Sequence, residues 1–103
     1  MKEGYVYILS NEQRTVLYTG VTSNLLERVF KHKTREGCAF SNKYRTHFIV
    51  YYEVHQSIYE AIRREKQIKK WKREWKFNLI RTINPDLRDL WSDILPPGRF
   101  YFK

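Results

Sequence analysis

The sequence predicts a mixed α/β (α+β) fold: a small three-stranded antiparallel sheet flanked by helices, in the order ββαβα, with an extra helix towards the C-terminal end. Three short runs are rich in aromatic and β-branched residues, which is typical of strands. A long stretch after the third run repeats its apolar residues with the 3.6-residue period of a helix. The 103 residues, 42% hydrophobic and 17% aromatic, suffice for one modest core.

The first two runs predict a β-hairpin. Residues 5–10 (Y-V-Y-I-L-S) predict the first strand and the polar residues 11–14 predict a turn. Residues 15–19 (T-V-L-Y-T) predict the second strand, which Gly20 is expected to end. Because the connection is short, the two strands are expected to pair in antiparallel fashion.

A helix and a third strand follow the hairpin. The Thr-Ser-Asn stretch at 22–24 offers three capping side chains, and a helix is predicted to start at Ser23 or Asn24 and to run to about Lys33. The polar and basic residues 34–46 predict a loop. Residues 48–55 (F-I-V-Y-Y-E-V-H) predict the third strand, which we expect to be the most buried of the three.

One long helix is predicted from residue 57 to about residue 81. Trp71 lies at the edge of its apolar side or marks a bend. The Asn-Pro-Asp stretch at 84–86 is a stop signal, and Pro85 suits the first position of a short helix through residues 87–91. The apolar side of the long helix is formed by Ile58, Ala61, Ile62, Ile68, Trp75 and Leu79.

No internal repeat, low-complexity tract or linker interrupts the chain. Residues 1–103 are therefore expected to form a single domain. Its core is predicted at about 4–92, with an extended tail at 96–103 whose aromatic residues dock on the body.

The charge balance points to a polyanionic partner. Twenty Lys and Arg against eleven Asp and Glu give a formal net charge of +9, which would attract nucleic acid. A membrane surface is disfavoured because the chain shows no long apolar run, signal peptide or lipidation motif. A merely solvated basic surface is the alternative. Cys38, the sole cysteine, excludes an intrachain disulfide and a thiolate zinc site, and we expect a free buried thiol in a cytoplasmic protein.

Glu65 falls inside the apolar side of the long helix, between Ile62 and Ile68. A buried carboxylate needs a partner: a cation, hydrogen bonds or a metal ion. The simpler alternative to a metal-binding or catalytic glutamate is an ion pair with Lys69 or Lys72 at the margin of that side.

Arg28 and His32 are four residues apart, so they are neighbours on one face of the first helix, beside an apolar row. An arginine can grip phosphate oxygens, and a histidine can carry a proton near neutral pH. By itself the pattern is better explained by a solvated helix surface with incidental Arg and His.

Tyr7 and Tyr18 stand on the two strands of the predicted hairpin, where opposite or diagonal rings come close. The pattern alone does not distinguish them from the other tyrosines, which core packing explains. His47 and His55 have no metal-ligand spacing with each other or with His32, and ordinary surface or core positions are expected.

Residues 63–76 carry eight Lys or Arg against two Glu. This basic segment predicts a solvated helix face, and also a track for the phosphates of a nucleic acid backbone.

Taken together, these residues resemble the GIY-YIG nuclease domain, most closely its small stand-alone bacterial members. The two tyrosine motifs of that family resemble the G-Y-V-Y-I-L run at 4–9 and the L-Y-T-G run at 17–20. The resemblance extends over about residues 4–92. The family's arginine eight residues past the second glycine, its His or Tyr four residues further, and its metal-binding glutamate match Arg28, His32 and Glu65.

The resemblance implies a metal-dependent endonuclease. Glu65 would hold one Mg²⁺ or Mn²⁺, and Arg28 would brace the phosphate. Tyr18 would be the general base, with Tyr7 as relay or orienting partner. Whether Tyr18 or His32 is the base stays open. The expected substrate is DNA rather than RNA, recognised by structure, end or damage rather than by a long sequence. A nucleic-acid-binding module without turnover, and a protein-interaction domain, are the alternatives; a protein partner that supplies specificity also stays open.

Two departures from the family pattern concern Thr19, which replaces an apolar residue, and Val21, which replaces a lysine found in DNA-repair members. Lys31, Lys33 and Lys43 are candidates to supply the missing charge. Asn78 is the nearest match to a polar residue that follows the family glutamate. Further nucleic acid contacts are predicted in the basic segment at Arg63, Lys66, Lys69, Lys70 and Arg73.

Overall fold

The computed structural model describes residues 2–34 and 39–95, and it has the predicted mixed α/β fold. The sheet has three antiparallel strands in the spatial order β2-β1-β3. In chain order the elements are β1 (Gly4–Ser10), β2 (Leu17–Thr22), α1 (Leu25–Lys33), α2 (Ala39–Tyr44), β3 (Phe48–His55), α3 (Ile58–Lys69), α4 (Arg73–Arg81) and α5 (Trp91–Ile94).

The central strand is β1, which pairs with β2 on one side and with β3 on the other. Every residue of β1 except Tyr5 is buried, whereas β3 turns outward in its second half, where Val54 is exposed. The expectation that β3 is the most buried strand is therefore wrong. A strand in the middle of a sheet has both edges paired, while β3 is an edge strand.

The hairpin is shifted from its predicted position. The second strand begins at Leu17 and continues to Thr22, so Gly20 does not end it but lies inside the ladder, paired with Tyr7. The connection is longer than predicted because the Asn11 side chain accepts hydrogen bonds from the backbone N–H groups of Thr15 and Val16.

The helix α1 is confirmed, with Asn24 as its N-cap accepting from the N–H of Glu27. The loop predicted at 34–46 is wrong in part, because α2 occupies residues 39–44. Six residues are too few to display a helical repeat in the sequence. Cys38 lies outside the described residues.

The single long helix predicted from 57 to 81 is wrong: α3 and α4 are separate, and Trp71 marks the bend between them. The N–H groups of Lys70 and Trp71 bond three residues back instead of four, which tightens and ends α3. The bend changes the face that α4 presents, so Ile80 is buried while Trp75 is 50% exposed.

The short C-terminal helix starts at Trp91, later than predicted. Residues 84–90 instead form an irregular segment that Asn84 holds in place. Its amide donates to the carbonyl oxygens of Val50 and Arg88, and its side-chain oxygen accepts from the N–H of Arg88. Pro85 therefore belongs to a turn. The predicted tail at 96–103 lies outside the described residues.

A hydrophobic cluster covers each face of the sheet. The α3 side contains Val6, Ile8, Val50, Tyr51, Ala61, Ile68, Ile80 and Leu87. The α1 side contains Tyr7, Leu9, Leu25, Val29, Ile49 and Leu90. Gly4 lets α3 approach β1, since a Cβ there would lie 2.6 Å from Ala61 Cβ and 2.8 Å from Ile58 Cα. No helix within the described ranges is long and apolar enough to cross a membrane.

Candidate active site

A buried polar cluster on the α1 side of the sheet centres on the phenol oxygen of Tyr7. This oxygen lies 3.2 Å from Nε2 of His32 and accepts a hydrogen bond from Nε of Arg28 at 3.4 Å. Tyr7 is 1% exposed and His32 is fully buried. A β1 residue and the predicted Arg28–His32 pair of α1 therefore meet at one oxygen atom.

Tyr18 joins this cluster from β2. Because Tyr7 pairs with Gly20 and Leu9 pairs with Tyr18, the two tyrosines are diagonal neighbours on one face of the sheet. The ring centroid of Tyr18 lies 6.4 Å from that of Tyr7 and 5.4 Å from that of His32. Tyr18 is only half-buried, so it lies between the buried pair and solvent.

Gly20 makes room for the Tyr7 ring. A Cβ at position 20 would lie 2.5 Å from Cζ of Tyr7, and closer still to its hydroxyl oxygen. A side chain here would thus displace the phenol from His32 and Arg28. Sequence reasoning treated this glycine as a strand end and missed its role, although the register of the hairpin could have shown that it faces Tyr7.

His32 is uncharged at neutral pH. Burial above all, together with the nearby Arg28 and His47, lowers the pKa of His32 to about 4. A neutral imidazole has one acceptor nitrogen. Since the Tyr7 oxygen already accepts from Arg28, the geometry favours donation of the Tyr7 hydroxyl proton to His32. His47 supports this helix from outside by donating from Nδ1 to the backbone oxygen of His32 at 2.7 Å.

Glu65 on α3 is buried, as its position in the apolar side predicts, with 7% of its surface exposed. Its Oε2 atom forms an ion pair with Nζ of Lys69 at 2.7 Å, which is the simpler partner foreseen for it. The same ammonium lies 6.0 Å from the ring centroid of Tyr18. Lys69 therefore links Glu65 to the tyrosine cluster, a contact that no sequence pattern reveals.

The carboxylate of Glu65 fits a divalent ion that arrives with its substrate. No group of three or more His, Cys, Asp or Glu in the described part of the chain could hold a metal ion by itself. Mg²⁺ commonly keeps several waters and binds through one or two carboxylates plus substrate phosphates. A single buried carboxylate such as that of Glu65 is compatible with that donor set.

Comparison with known proteins identifies the family of the chain. Residues 3–78 match the model of the GIY-YIG catalytic domain. The chain belongs to the GIY-YIG family. The UPF0213 protein SH2523 of Staphylococcus haemolyticus is 36% identical over 80 residues, covering 78% of this chain and 96% of that protein. A UPF0213 protein of Syntrophus aciditrophicus is 37% identical over 87 residues, covering 84% and 98%.

The fold also matches a solved structure. The solution NMR structure of the UPF0213 protein BH0048 from Bacillus halodurans superimposes with a TM-score of 0.55 and 24% identity, covering 91% of this chain and 99% of that one. The chain is thus a GIY-YIG family member similar to small bacterial proteins.

The cationic residues predicted to bind nucleic acid differ from one another in their burial and their contacts. Lys33 is held inward, since its ammonium contacts Asp89 at 2.7 Å and the backbone oxygen of His47 at 2.8 Å. Arg73 donates to the backbone oxygen of Thr15. Lys31 is half-buried. The remaining predicted contacts are exposed: Lys43, Arg63, Lys66, Lys69 and Lys70.

The two positions that depart from the GIY-YIG pattern differ in their surroundings, and the polar Thr19 is buried within β2. Val21 packs against the α3-side core, so no charge replaces the missing lysine there. Asn78 is exposed on α4. His55 donates from Nε2 to the carboxylate of Glu53 at 2.9 Å, away from the tyrosine cluster.

Proposed function

We propose that this GIY-YIG protein is a metal-dependent endonuclease that hydrolyses phosphodiester bonds in DNA, directed by structure or strand ends rather than by a long sequence. The observation that carries the proposal is the convergence of Arg28, His32 and Tyr7 on one phenol oxygen, with Tyr18 in front of them. Three separate elements, β1, β2 and α1, supply these groups, and a passive core needs no such convergence.

The geometry favours Tyr18 over His32 as the general base. A base must reach the water whose proton it takes, within hydrogen-bond distance in the substrate complex. His32 is fully buried, whereas Tyr18 is half-buried. In this proposal Tyr18 takes the proton, and the neutral His32 fixes Tyr7 behind it as the orienting partner.

Arg28 would brace the phosphate. A guanidinium carries five N–H donors in a planar fork, so an arginine at this position can hold Tyr7 and contact phosphate oxygens at the same time. Preorganised positive charge of this kind stabilises the transition state because it needs no rearrangement during the reaction.

Glu65 would hold one Mg²⁺ or Mn²⁺, and the bound ion would neutralise the phosphate and assist the leaving oxygen. Lys69 lies at the same carboxylate and beside Tyr18. We assign to it the positive charge that Val21 does not supply, in place of Lys31, Lys33 or Lys43. Lys69 would move from the carboxylate to the phosphate when the ion and DNA bind.

The test is cleavage of labelled single-stranded, duplex, nicked and branched DNA and of RNA, in Mg²⁺, Mn²⁺ or EDTA. Glu65→Gln should lower the cleavage rate at least about 100-fold without unfolding the protein. Glu60→Gln is the matched control, because Glu60 is an exposed carboxylate on the same helix. Equal cutting by the wild-type and Glu65→Gln proteins would contradict the assignment.

A binding module without turnover is the second candidate, and the apolar packing of Val21 favours it. It predicts tight, salt-sensitive binding of DNA or RNA with no cutting in any metal. Glu65→Gln would then leave the affinity unchanged or raise it, because a negative charge is removed.

A further inference from the structure

A series of hydrogen bonds reaches the buried polar cluster from behind, at the last turn of α1. The first is the donation from Nδ1 of His47 to the backbone oxygen of His32, at 2.7 Å. An α-helix leaves the carbonyl oxygens of its last turn without the usual partner four residues on, and His32 lies in that turn of α1. His47 therefore holds the end of the helix at the residue whose ring contacts Tyr7.

The side chain of His47 makes no other hydrogen bond within the described residues. Its second ring nitrogen, Nε2, is buried and has no hydrogen-bond partner there. A buried nitrogen without a partner costs free energy, because it has given up its hydrogen bonds to water. The bond to His32 is therefore the only side-chain hydrogen bond in this part of the structure that offsets the cost.

Lys33 holds the backbone of His47 in place. Its ammonium donates to the backbone oxygen of His47 at 2.8 Å and to Oδ2 of Asp89 at 2.7 Å. The same ammonium lies 5.4 Å from the ring centroid of Phe48 and 5.6 Å from that of Trp91. Lys33 thus belongs to the internal structure at this end of α1, although its place in the sequence predicted a contact with nucleic acid.

Asp89 joins these groups to the sheet. Its Oδ1 atom accepts from the backbone N–H groups of Ile49 and Trp91, at 3.1 and 3.2 Å. The neighbouring N–H of Leu90 donates to the backbone oxygen of Ile49 at 2.7 Å. Because Ile49 belongs to β3 and is fully buried, the carboxylate is anchored on the core of the fold. The last turn of α1 is thereby tied to the sheet that carries Tyr7.

The position of α1 relative to the sheet decides the geometry of the candidate active site. Tyr7 and Tyr18 lie on the sheet, whereas Arg28 and His32 lie on α1. A helix of nine residues is too short to be stable by itself, so tertiary contacts must hold its last turn. A displacement of about 1 Å in an active site can cost about 100-fold in rate. Contacts that prevent such a displacement support catalysis without touching the substrate.

We propose that His47 is a positioning residue, which with Lys33 and Asp89 holds His32 where its ring orients the phenol of Tyr7. The assignment rests on the proposed function, since it gives a cause for the geometry of the same site. It differs from a general stabilising role in what it affects. A stabilising contact changes the folded fraction of the protein, whereas a positioning contact changes the turnover of the folded protein.

The first test is DNA cleavage by variants of His47, under conditions in which each is fully folded. His47→Leu should lower kcat about 10- to 100-fold and leave KM within about twofold, because no group that contacts the DNA is removed. His47→Asn should restore most of kcat, since its amide nitrogen can donate from about the place of Nδ1. His55→Leu is the matched control, because His55 is also half-buried and donates to a carboxylate on the other face of the sheet.

The second test needs no catalysis. Tyr7 is 1% exposed, so we expect its hydroxyl proton to exchange slowly enough for NMR to record its hydrogen bond to Nε2 of His32. His47→Leu should weaken or remove this signal, whereas His55→Leu should preserve it. If His47→Leu does not fold, Lys33→Met replaces it, because it removes the ammonium from the His47 oxygen and keeps an unbranched apolar side chain. Lys33→Met should change the signal and kcat in the same direction.

Three results would overturn the assignment. In the first, His47→Leu keeps both its kcat and the hydrogen bond of Tyr7. In the second, His55→Leu lowers kcat as far as His47→Leu does. In the third, His47→Asn is folded but no more active than His47→Leu, so that the donor at this position is irrelevant.

The outcomes separate positioning from the proposed function. Cleavage that depends on Glu65 but not on His47, with the hydrogen bond of Tyr7 intact in both proteins, would refute positioning and leave the nuclease. If the wild-type protein cuts no DNA in any metal, the nuclease is refuted and the NMR signal decides. Its loss in His47→Leu would then support the hold on His32, and its persistence would refute it.

Discussion

Two clusters of the same residue types lie on opposite faces of the sheet. On the α1 side, Arg28 and His32 converge on the phenol oxygen of Tyr7. On the α3 side, a tyrosine, a histidine and an arginine converge on the carboxylate of Glu53: Tyr51 donates to it, His55 contacts it at 2.9 Å and Arg64 contacts it at 2.8 Å.

The central group decides the character of each cluster. Burial alone would raise the pKa of Glu53, but the hydrogen bonds from Tyr51, His55 and Arg64 outweigh it and lower the pKa. Burial and Glu53 raise the pKa of Tyr51. The α3-side cluster is therefore a charge-compensated ion network that holds β3 to α3. The phenol-centred cluster instead keeps a neutral histidine beside a hydroxyl proton.

Replacing the arginine of each cluster by glutamine should give the largest difference between the two clusters. Arg28→Gln should lower DNA cleavage at least about 100-fold, because it removes charge aimed at the phosphate. Arg64→Gln should leave the cleavage rate unchanged but lower the free energy of unfolding by about 1–2 kcal/mol, since Glu53 loses a charged partner. Cleavage rates and urea unfolding of both variants measure this. Equal loss of cleavage in both would remove the distinction.

As the pH falls, the two clusters should lose their contributions to stability in different pH ranges. The pKa of His32 falls from an ordinary 6.5 to about 4 in the folded protein, so the unfolded chain binds the proton first. Stability from the neutral His32 is complete above pH 6.5 and is lost, by up to about 3 kcal/mol, as the pH falls towards 4.

Because the pKa of Glu53 is also lowered in the folded protein, its contribution to stability is likewise lost on acidification. This loss occurs at lower pH, below the usual Glu pKa of 4.5. Urea unfolding from pH 7 to 3 measures both. His32→Tyr should abolish the loss between pH 6.5 and 4.5, and Glu53→Gln should abolish only the loss below it. If the His32→Tyr protein still lost stability between pH 6.5 and 4.5, another group would be titrating in that range.

Gly20→Ala should produce an effect that is confined to the α1 side. The added Cβ meets the Tyr7 ring, so the unfolding free energy should fall by about 1–3 kcal/mol. The displaced ring should also open the pocket and let the pKa of His32 rise towards 6.5, which NMR titration of the imidazole would detect. Gly4→Ala is the control, since it presses on α3 and should leave the His32 titration in place.

Much of the candidate site follows from local rules. The four-residue spacing of Arg28 and His32 places them on one face of any helix, and the apolar repeat places Glu65 on the core side of α3. The resemblance to GIY-YIG domains, now established for residues 3–78, selected Tyr7 and Tyr18 among the tyrosines. The catalytic roles, the metal ion and the single-domain extent remain predictions.

The sequence by itself determined the elements whose signals are short-range: the strand runs, the start of α1 at Ser23 or Asn24, and the burial of Glu65. Only the tertiary structure decided the rest. Four features depend on partners distant in the chain or on strand register. They are the bend at Trp71, the hydrogen bond from Asn84 to β3, the position of Gly20 opposite Tyr7 and the contact of Lys69 with Tyr18. Such contacts arise from how the elements pack, and no local propensity encodes them.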